Sequence, residues 1–401
     1  MKRWPTKPLG ELCDVEGGNA APQGENNFAE GTIPFVRMKD LGRYHLTSNL
    51  TETDDKLTEA SVATNRMKTF SPGCILFPRS GSVALNHRAI LGIHACIVSH
   101  IGVLQNLRPV IIPGYLYLYL TTFDMTSLAK KTTGVDSIAF ADVKRIPIPV
   151  PPLQEQEHIV NLLDEADELR KLRARADCRS AELIPALFHE MFGDLEKNDK
   201  QWEMRRIGEI ASHERFSIRM GPFGSQLKKH ELVKEGIKVL WIENVVDGRF
   251  QWCDDRCITK KKYEDLKGFE VRPGDLLITT MGTIGRCGVV PDTIGTAIIS
   301  SHLIKITLNP DIAHPIFISE IVNSPYSARY YERISHGSIM RGLNTTIVKN
   351  LPVSIPPMPL QEEFAKRVAD IRELETAQAA SRQRLEAFFQ SLLHNAFNGG
   401  L

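Results

Sequence analysis

Ile146-Pro-Ile-Pro-Val-Pro-Pro-Leu-Gln-Glu-Gln156 runs into a long helical stretch, and Leu351-Pro-Val-Ser-Ile-Pro-Pro-Met-Pro-Leu-Gln-Glu362 does so again later in the chain. Proline suits a helix entrance and is excluded from a helix interior, so each marker fixes where a helix begins. What precedes each marker also repeats. Leu9-Gly-Glu-Leu12 matches Ile207-Gly-Glu-Ile210, Ser71-Pro-Gly-Cys-Ile-Leu76 matches Arg272-Pro-Gly-Asp-Leu-Leu277, and Val98-Ser-His-Ile101 matches Ile299-Ser-Ser-His-Leu303. The spacing stays near 198 to 201 residues. A globular unit repeated once, with a long helix after each copy, places two similar surfaces at a set separation, which points to a two-part target.

The 401 residues, 42% of them hydrophobic, suffice for two ordinary cores. No apolar run has the length of a membrane span, and Met1-Lys-Arg-Trp-Pro5 lacks the apolar core of a secretion signal, so a cytoplasmic protein without membrane contact is expected. Seven scattered cysteines form no disulfide framework, and Cys253 and Cys257 lack partners at zinc spacing, so no metal is expected. Residues 1–153 and 193–360 each carry a net +3, whereas 154–192 and 361–401 carry −4 and −1. Mildly basic globular units are compatible with nucleic acid, but affinity for phosphate needs a concentrated basic face.

Runs at Thr32–Met38, Cys74–Phe77 and Ala95–Leu104 read as strands, followed by a helix from Pro113; Ile237–Ile242, Asp275–Thr280, Ala297–Ser300 and a helix at Pro315–Val322 repeat the order. In the first long helix Leu162, Leu169, Ala176 and Leu183 recur every seven residues, flanked by Ile159, Ala166 and Leu187. In the second, Phe364, Ile371, Leu385 and Leu392 do so, with Leu374 and Phe388 beside them. Sustained heptads with charged flanks predict that the helices pair with each other instead of each merely covering its own unit. Gln378 on the seam and Arg173 opposite the matching stretch are register-setting candidates, and Pro185 predicts a kink or restart in the first helix.

No catalytic centre is found. There is no phosphate loop ending in Gly-Lys-Ser/Thr, no Asn-Pro-Pro-aromatic tetrapeptide, no Glu-x-Lys after Pro291-Asp292, no His-Glu-x-x-His and no Gly-x-Ser-x-Gly. His100 and His302 read as turn or core histidines, because each follows a strand in the same repeated context. Polar, glycine-bearing loops remain at equivalent points. The second unit offers Arg219, Ser225, Gln226, Lys228 and Lys229, then Lys260 and Lys261, then Thr283 and Arg286, then Ser338, Arg341 and Asn344. The first offers Arg79, Ser80, Ser82, Asn86 and Arg88, then Lys130, Lys131 and Ser137. These side-chain types read base edges and phosphates, and glycine lets backbone approach a ligand. Each loop alone reads as a solvated turn; as a set, differing on a repeated frame, they read as a DNA-binding surface.

The chain resembles the specificity subunit of type I restriction-modification enzymes. The resemblance rests on the repeated helix entry in which Pro-Pro precedes Leu-Gln-Glu, on Ala186-Leu-Phe-His-Glu-Met-Phe-Gly-Asp194 and on Gly221-Pro-Phe-Gly-Ser-Gln-Leu227, and covers essentially the whole chain. It implies an α+β fold: two repeated α/β target-recognition domains with twisted mixed sheets, separated by two long helices paired as an antiparallel coiled coil. The division would be recognition domains at 1–152 and 196–358 and helical spacers at 153–195 and 359–401. The partners implied are double-stranded DNA, two methyltransferase subunits docked on the helices, and restriction subunits with motor and nuclease activity. S-adenosylmethionine, ATP and Mg2+ then belong to those partners and none to this chain, which is not an enzyme. The first unit departs from the pattern, with Gly17-Gly-Asn-Ala-Ala-Pro-Gln-Gly24 where the second has Gly-Pro-Phe-Gly. Two other readings remain: a stand-alone methyltransferase or endonuclease with degenerate motifs, and an assembly scaffold that touches no DNA.

Overall fold

The computed structural model describes residues 4–45, 49–132, 135–253, 256–335 and 342–398. Packing groups the chain into two compact units, the first made of residues 1–175 with 379–401 and the second of residues 176–378. The compact units therefore divide both long helices between them.

In the first unit an antiparallel sheet runs in the order Asp14–Gly17, Ile101–Gln105, Ile75–Pro78, Ala89–Ile90. A mixed sheet runs Asp55–Leu57, Ile33–Val36, Ala95–Ile97, Thr69–Phe70, its two central strands parallel. The second unit repeats both. Its antiparallel sheet is Ile218–Met220, Leu303–Ile306, Leu276–Thr279, Cys287–Val289, and its mixed sheet, here three strands in the order Cys257–Ile258, Ile237–Leu240, Ala297–Ile299, again pairs the last two in parallel. This unit adds the hairpin Val245–Val246/Arg249–Phe250 and the helix Pro325–Ser335.

Strand alternation explains why Ile75–Phe77 and Leu276–Ile278 are apolar at every position. Ile75 and Phe77 enter one core and Leu76 the other, all fully buried; Leu276 and Ile278 divide from Leu277 in the same way. A strand buried on both faces needs a continuous apolar run. Gly73 and Gly274, at φ +90° and +82°, turn the chain into these strands, and their N–H groups donate to the Leu91 and Val290 carbonyls at 2.7 and 2.9 Å. The expected single strand over Ala95–Leu104 is two strands, because the chain turns at Val98–His100 and the Ile101 N–H donates back to the Val98 carbonyl at 3.0 Å.

The repeated motifs form a clasp in each unit. Thr6–Pro8 pairs with Pro147–Pro149, and Glu203–Arg206 with Pro352–Ile355. The one-turn helices Leu9–Leu12 and Ile207–Ile210 bury their apolar ends fully and receive Leu9 N–H to Ile146 O (2.9 Å) and Ile207 N–H to Leu351 O (3.1 Å). Gln156 then accepts the Ile112 N–H at 3.0 Å and donates to the Val110 and Pro151 carbonyls at 2.8 and 2.9 Å. Gln361 does the same for His314, Ile312 and Pro356 at 2.9, 3.1 and 2.8 Å.

The long helices are Leu153–Ala181, continued by Leu183–Phe192, and Met358–Asn398. The restart after Glu182 puts Pro185 in a first helical turn, where its missing N–H has no intrahelical partner to lose. In the first unit Ile159, Leu163 and Ala166 pack with Leu392 and Ala396 on the core, and Arg170 pairs with Glu386 at 2.8 Å, so the two helices run antiparallel there. In the second, Phe188, Phe192, Phe317 and Phe364 form an aromatic cluster with ring centroids 4.7 to 6.2 Å apart.

The buried row of the first helix differs from the expected one. Leu169 and Leu183 are 51% and 42% exposed and Leu163, outside the expected row, is buried, whereas the flanking Ile159 and Ala166 are buried as expected. Each helix meets a globular core as well as its partner, and the core selects the row; Leu374 and Phe388 turn outward for the same reason, whereas Phe364 and Leu392 are buried. At the seam Ser180 Oγ donates to Gln378 Oε1 at 2.8 Å. No helix among the described residues is long and apolar enough to cross a membrane.

Candidate nucleic-acid interface

One end of the sheets gathers loops from distant parts of each unit. In the first unit the strand Ile75–Pro78 leaves the sheet at Arg79, whose N–H donates to the His100 carbonyl at 2.8 Å and whose carbonyl accepts the Ile138 N–H at 2.9 Å. Thr280 stands in the same relation to His302 (3.0 Å) and Leu343 (3.2 Å) in the second unit. Into this junction runs the segment that begins at Gly18 or Gly221. A Cβ on these residues would lie 2.0 Å from the Ile97 carbonyl oxygen and 1.9 Å from that of Ser300, so neither position accepts a side chain. The first glycine of Gly221-Pro-Phe-Gly thus has its counterpart in Gly18, and the two units diverge only beyond it.

In the first unit the junction brings together Arg79, Ser80 and Ser137. The Arg79 guanidinium stacks 4.4 Å from the Phe140 ring, Ser80 Oγ lies 2.8 Å from His100 Nδ1, and Ser80 bridges to Ser137. Ser82 is half-buried and opens the turn Val83–Leu85. Lys130 is exposed and pairs with Asp142 at 2.8 Å, which holds that carboxyl below the usual carboxylate range. Of Lys131 only the backbone, in the strand Lys130–Thr132, belongs to the description.

Arg88 and Asn86 are corrections to the sequence reading. Arg88 is fully buried; its guanidinium donates to the His87 carbonyl at 2.6 Å and to Asn86 Oδ1 at 2.7 Å, and burial pushes its pKa down to about 10. Asn86 also accepts the Met125 N–H at 3.3 Å. Both side chains bind one loop to another inside the unit and offer nothing to a ligand, because a surface loop that folds back over a core must satisfy its own polar groups there.

In the second unit Ser225 and Gln226 are exposed in a tight turn closed by the Gln226 N–H on the Phe223 carbonyl (2.9 Å) and by Gln226 Oε1 on the Phe223 N–H (3.0 Å). Phe223 itself is 58% exposed. Lys228 and Lys229 follow, exposed, as are Lys260 and Lys261 at the start of the helix Lys260–Leu266. In the loop after Leu276–Thr279, Thr283 is exposed and half-buried Arg286 donates its N–H to Thr279 Oγ1 at 3.1 Å. Met281 and Ile284 project from the same loop.

Arg219 is held between the Phe216 and Phe269 rings at 4.1 and 3.7 Å; burial, and then neighbouring Arg215, depress its pKa. Asn344 is exposed but occupied, accepting the Ile347 N–H at 2.9 Å as a helix cap. Ser338 and Arg341 lie outside the described residues.

The sequence reading passed over Trp241, whose ring lies 4.5 Å from the Arg256 guanidinium and 5.9 Å from the His302 ring. The available signal was a tryptophan directly after an apolar strand. Together the loops present hydrogen-bond donors, lysines and exposed apolar side chains, the mixture that contacts phosphates, base edges and thymine methyls. Among the described residues no group of three or more His, Cys, Asp or Glu is placed to hold a metal ion.

Residues 1–175 and 199–387 match the type I restriction modification DNA specificity domain. The type I restriction enzyme MjaIX specificity subunit of Methanocaldococcus jannaschii is 24% identical over 264 residues, 60% of this chain and 57% of that protein. The EcoBI specificity subunit of Escherichia coli is 27% identical over 284 residues, 63% of this chain and 58% of that one. The chain thus spans a little over half the length of these two relatives. A putative type I specificity subunit of Haemophilus influenzae, S.HindORF215P, is 27% identical over 405 residues, 97% of this chain and 94% of its own length. Among solved structures, one from work on assembly and conformational transition of the type I R-M system aligns over 100% of this chain and 99% of its own, with TM-score 0.62 and 19% identity. The type I S subunit from M. genitalium aligns over 98% and 96%, with TM-score 0.56 and 16% identity. At these identities the structural likeness is one of fold.

Proposed function

Because the chain belongs to the type I restriction-modification DNA specificity family, matched over residues 1–175 and 199–387, we propose that it reads a split, asymmetric duplex site, one half with each sheet-rich unit. Specificity subunits of this family are not catalytic; in the proposed complex S-adenosylmethionine is bound by methyltransferase subunits, and ATP and Mg2+ by restriction subunits. The observation that carries the reading is a shared frame with unshared loops. Gly18 and Gly221, the Arg79 and Thr280 junctions and the Pro-Pro clasp superimpose in role, while the residues projecting beyond them differ.

Base contacts are assigned to the exposed loop residues Ser225, Gln226 and Thr283 and the half-buried Ser80, Ser137 and Arg286, and phosphate contacts to Lys228, Lys229, Lys260 and Lys261. Arg79 is assigned to the junction as well. Leu169, Leu172 and Phe388, each more than half exposed on the helices of the first unit, are apolar surface for a methyltransferase subunit to cover. The test is co-expression with the methyltransferase subunits, followed by mapping of methylated positions. Two short, unlike sequences at a fixed spacing are expected. One continuous palindrome, or methylation by this chain alone, would sink the reading.

A further inference from the structure

Both units carry the same short helix with opposite charge. Each follows the edge strand of the mixed sheet, Asp55–Leu57 or Cys257–Ile258, and each is capped by a threonine: Thr58 Oγ1 accepts the Ser61 N–H at 3.1 Å and Thr259 Oγ1 the Lys262 N–H at 3.2 Å. The residues after the cap are Glu59-Ala60-Ser61 in one unit and Lys260-Lys261-Lys262 in the other. Lys262 is spent on Glu231 at 2.7 Å, which ties the helix to the loop running from Gly221; Lys260 and Lys261 are exposed.

That loop adds to the contrast. Residues 222–236 hold Lys228, Lys229 and Lys234 against two glutamates, whereas the matching residues 19–31 hold Glu25 and Glu30 and no lysine or arginine. Loop and helix together, 222–236 with 259–267 and 19–31 with 58–66, carry +3 in the second unit and −2 in the first. A lysine run is ordinarily a solvated face. Here the frame is duplicated, the charge is inverted in one copy only, and the lysines adjoin the loop assigned to base reading. Exposed lysines crowded beside one another repel in the free protein, and a polyanion relieves that repulsion.

We propose that the two units grip DNA unequally: Lys260, Lys261, Lys228 and Lys229 of the second unit hold the phosphate backbone flanking its half-site, and the first unit has no such grip. This rests on the DNA-reading function proposed above. The consequence is an order of engagement, in which the second unit carries most of the salt-sensitive, sequence-independent binding and the first contributes mainly once its own half-site is present.

The probe is a fluorescein-labelled duplex of about 40 base pairs and arbitrary sequence, bound by the full chain while salt is varied; each lysine lost from a phosphate removes roughly one unit from the log–log slope. K260A/K261A is expected to flatten the slope by about two, so that across a fourfold rise in salt it loses about tenfold less affinity than the parent. R66A/K68A, the same charge change beside the helix of the first unit, is expected to move the slope less than half as far. E59K/A60K, which writes the lysines onto the first unit, should steepen it. Unchanged thermal melting of these exposed variants checks their folding. Equal effects of the two charge-removing pairs, or an unchanged slope in K260A/K261A, would overturn the unequal grip alone. A parent chain that binds no duplex at any salt sinks the DNA-reading function itself.

Discussion

Gln156 and Gln361 each satisfy three backbone groups that would otherwise be buried without partners. Replacing either by alanine removes its side chain from a fully enclosed site and strands those groups, at about 1–3 kcal/mol in the unit concerned. Gln154→Ala, at an exposed position, should stay within about 0.5 kcal/mol. Urea denaturation of the three variants checks this, and equal loss in all three would refute it. The contrast also bears on what the sequence discloses. Reading Leu-Gln-Glu as one repeated word aligns Gln154 with Gln361, yet the fold aligns Gln156, because the register is anchored by Pro151-Pro152 and Pro356-Pro357 and the second copy carries Met358-Pro359 between that pair and the word. Arg88 shows the converse limit. An arginine at the end of a polar loop looks like a ligand group, and nothing local announces that Asn86 and the His87 carbonyl will take it inward.

At the scale of elements the helices were legible in extent but only partly in orientation. Proline markers and heptads give their starts, their length and the break near Pro185. The buried row, by contrast, is chosen by the cores on which the helices lie, which a periodicity count does not see; hence Leu163 is buried and Leu169 exposed. The helices also supply the proposed spacing between half-sites. The span Gln154–Ile184 corresponds to roughly 46 Å of helix, against about 34–36 Å for one turn of DNA, so half-sites about one turn apart are expected. Adding four residues near Ala176, with four more opposite them after Gln378, lengthens each helix by about 6 Å while keeping most of the seam facing inward. Methylated sites should then keep both half-site sequences and prefer a spacer longer by roughly one or two base pairs. Methylation at the original spacing with unchanged preference would show that the helices do not set it.

For the whole molecule the repeat disclosed two units and their order of strands, whereas it could not disclose that each copy's helix ends in the other copy's unit. Phe188 and Phe192, which follow the first copy, pack on Phe317 and Phe364 of the second; Leu392 and Ala396, which follow the second, pack in the core of the first, and Phe397 meets Tyr115 and Tyr119 at 5.4 and 5.3 Å. Truncation after residue 384 should therefore damage the distant first unit and spare the adjacent second one. Leu392 alone is worth about 2–5 kcal/mol by the cost of emptying a core site. Hydrogen exchange by mass spectrometry should show lost protection at Tyr115 and Leu116 with Phe317 and Ile318 unchanged; loss confined to the second unit would contradict it. On the ribosome the same exchange imposes a schedule. The second unit is a continuous run, 176–378, and has all its parts when that run has emerged, but the first must wait for residues 389–397. At about 5–20 residues per second the delay is roughly ten to forty-five seconds, during which the part made first holds an open apolar face and is the natural client of a chaperone.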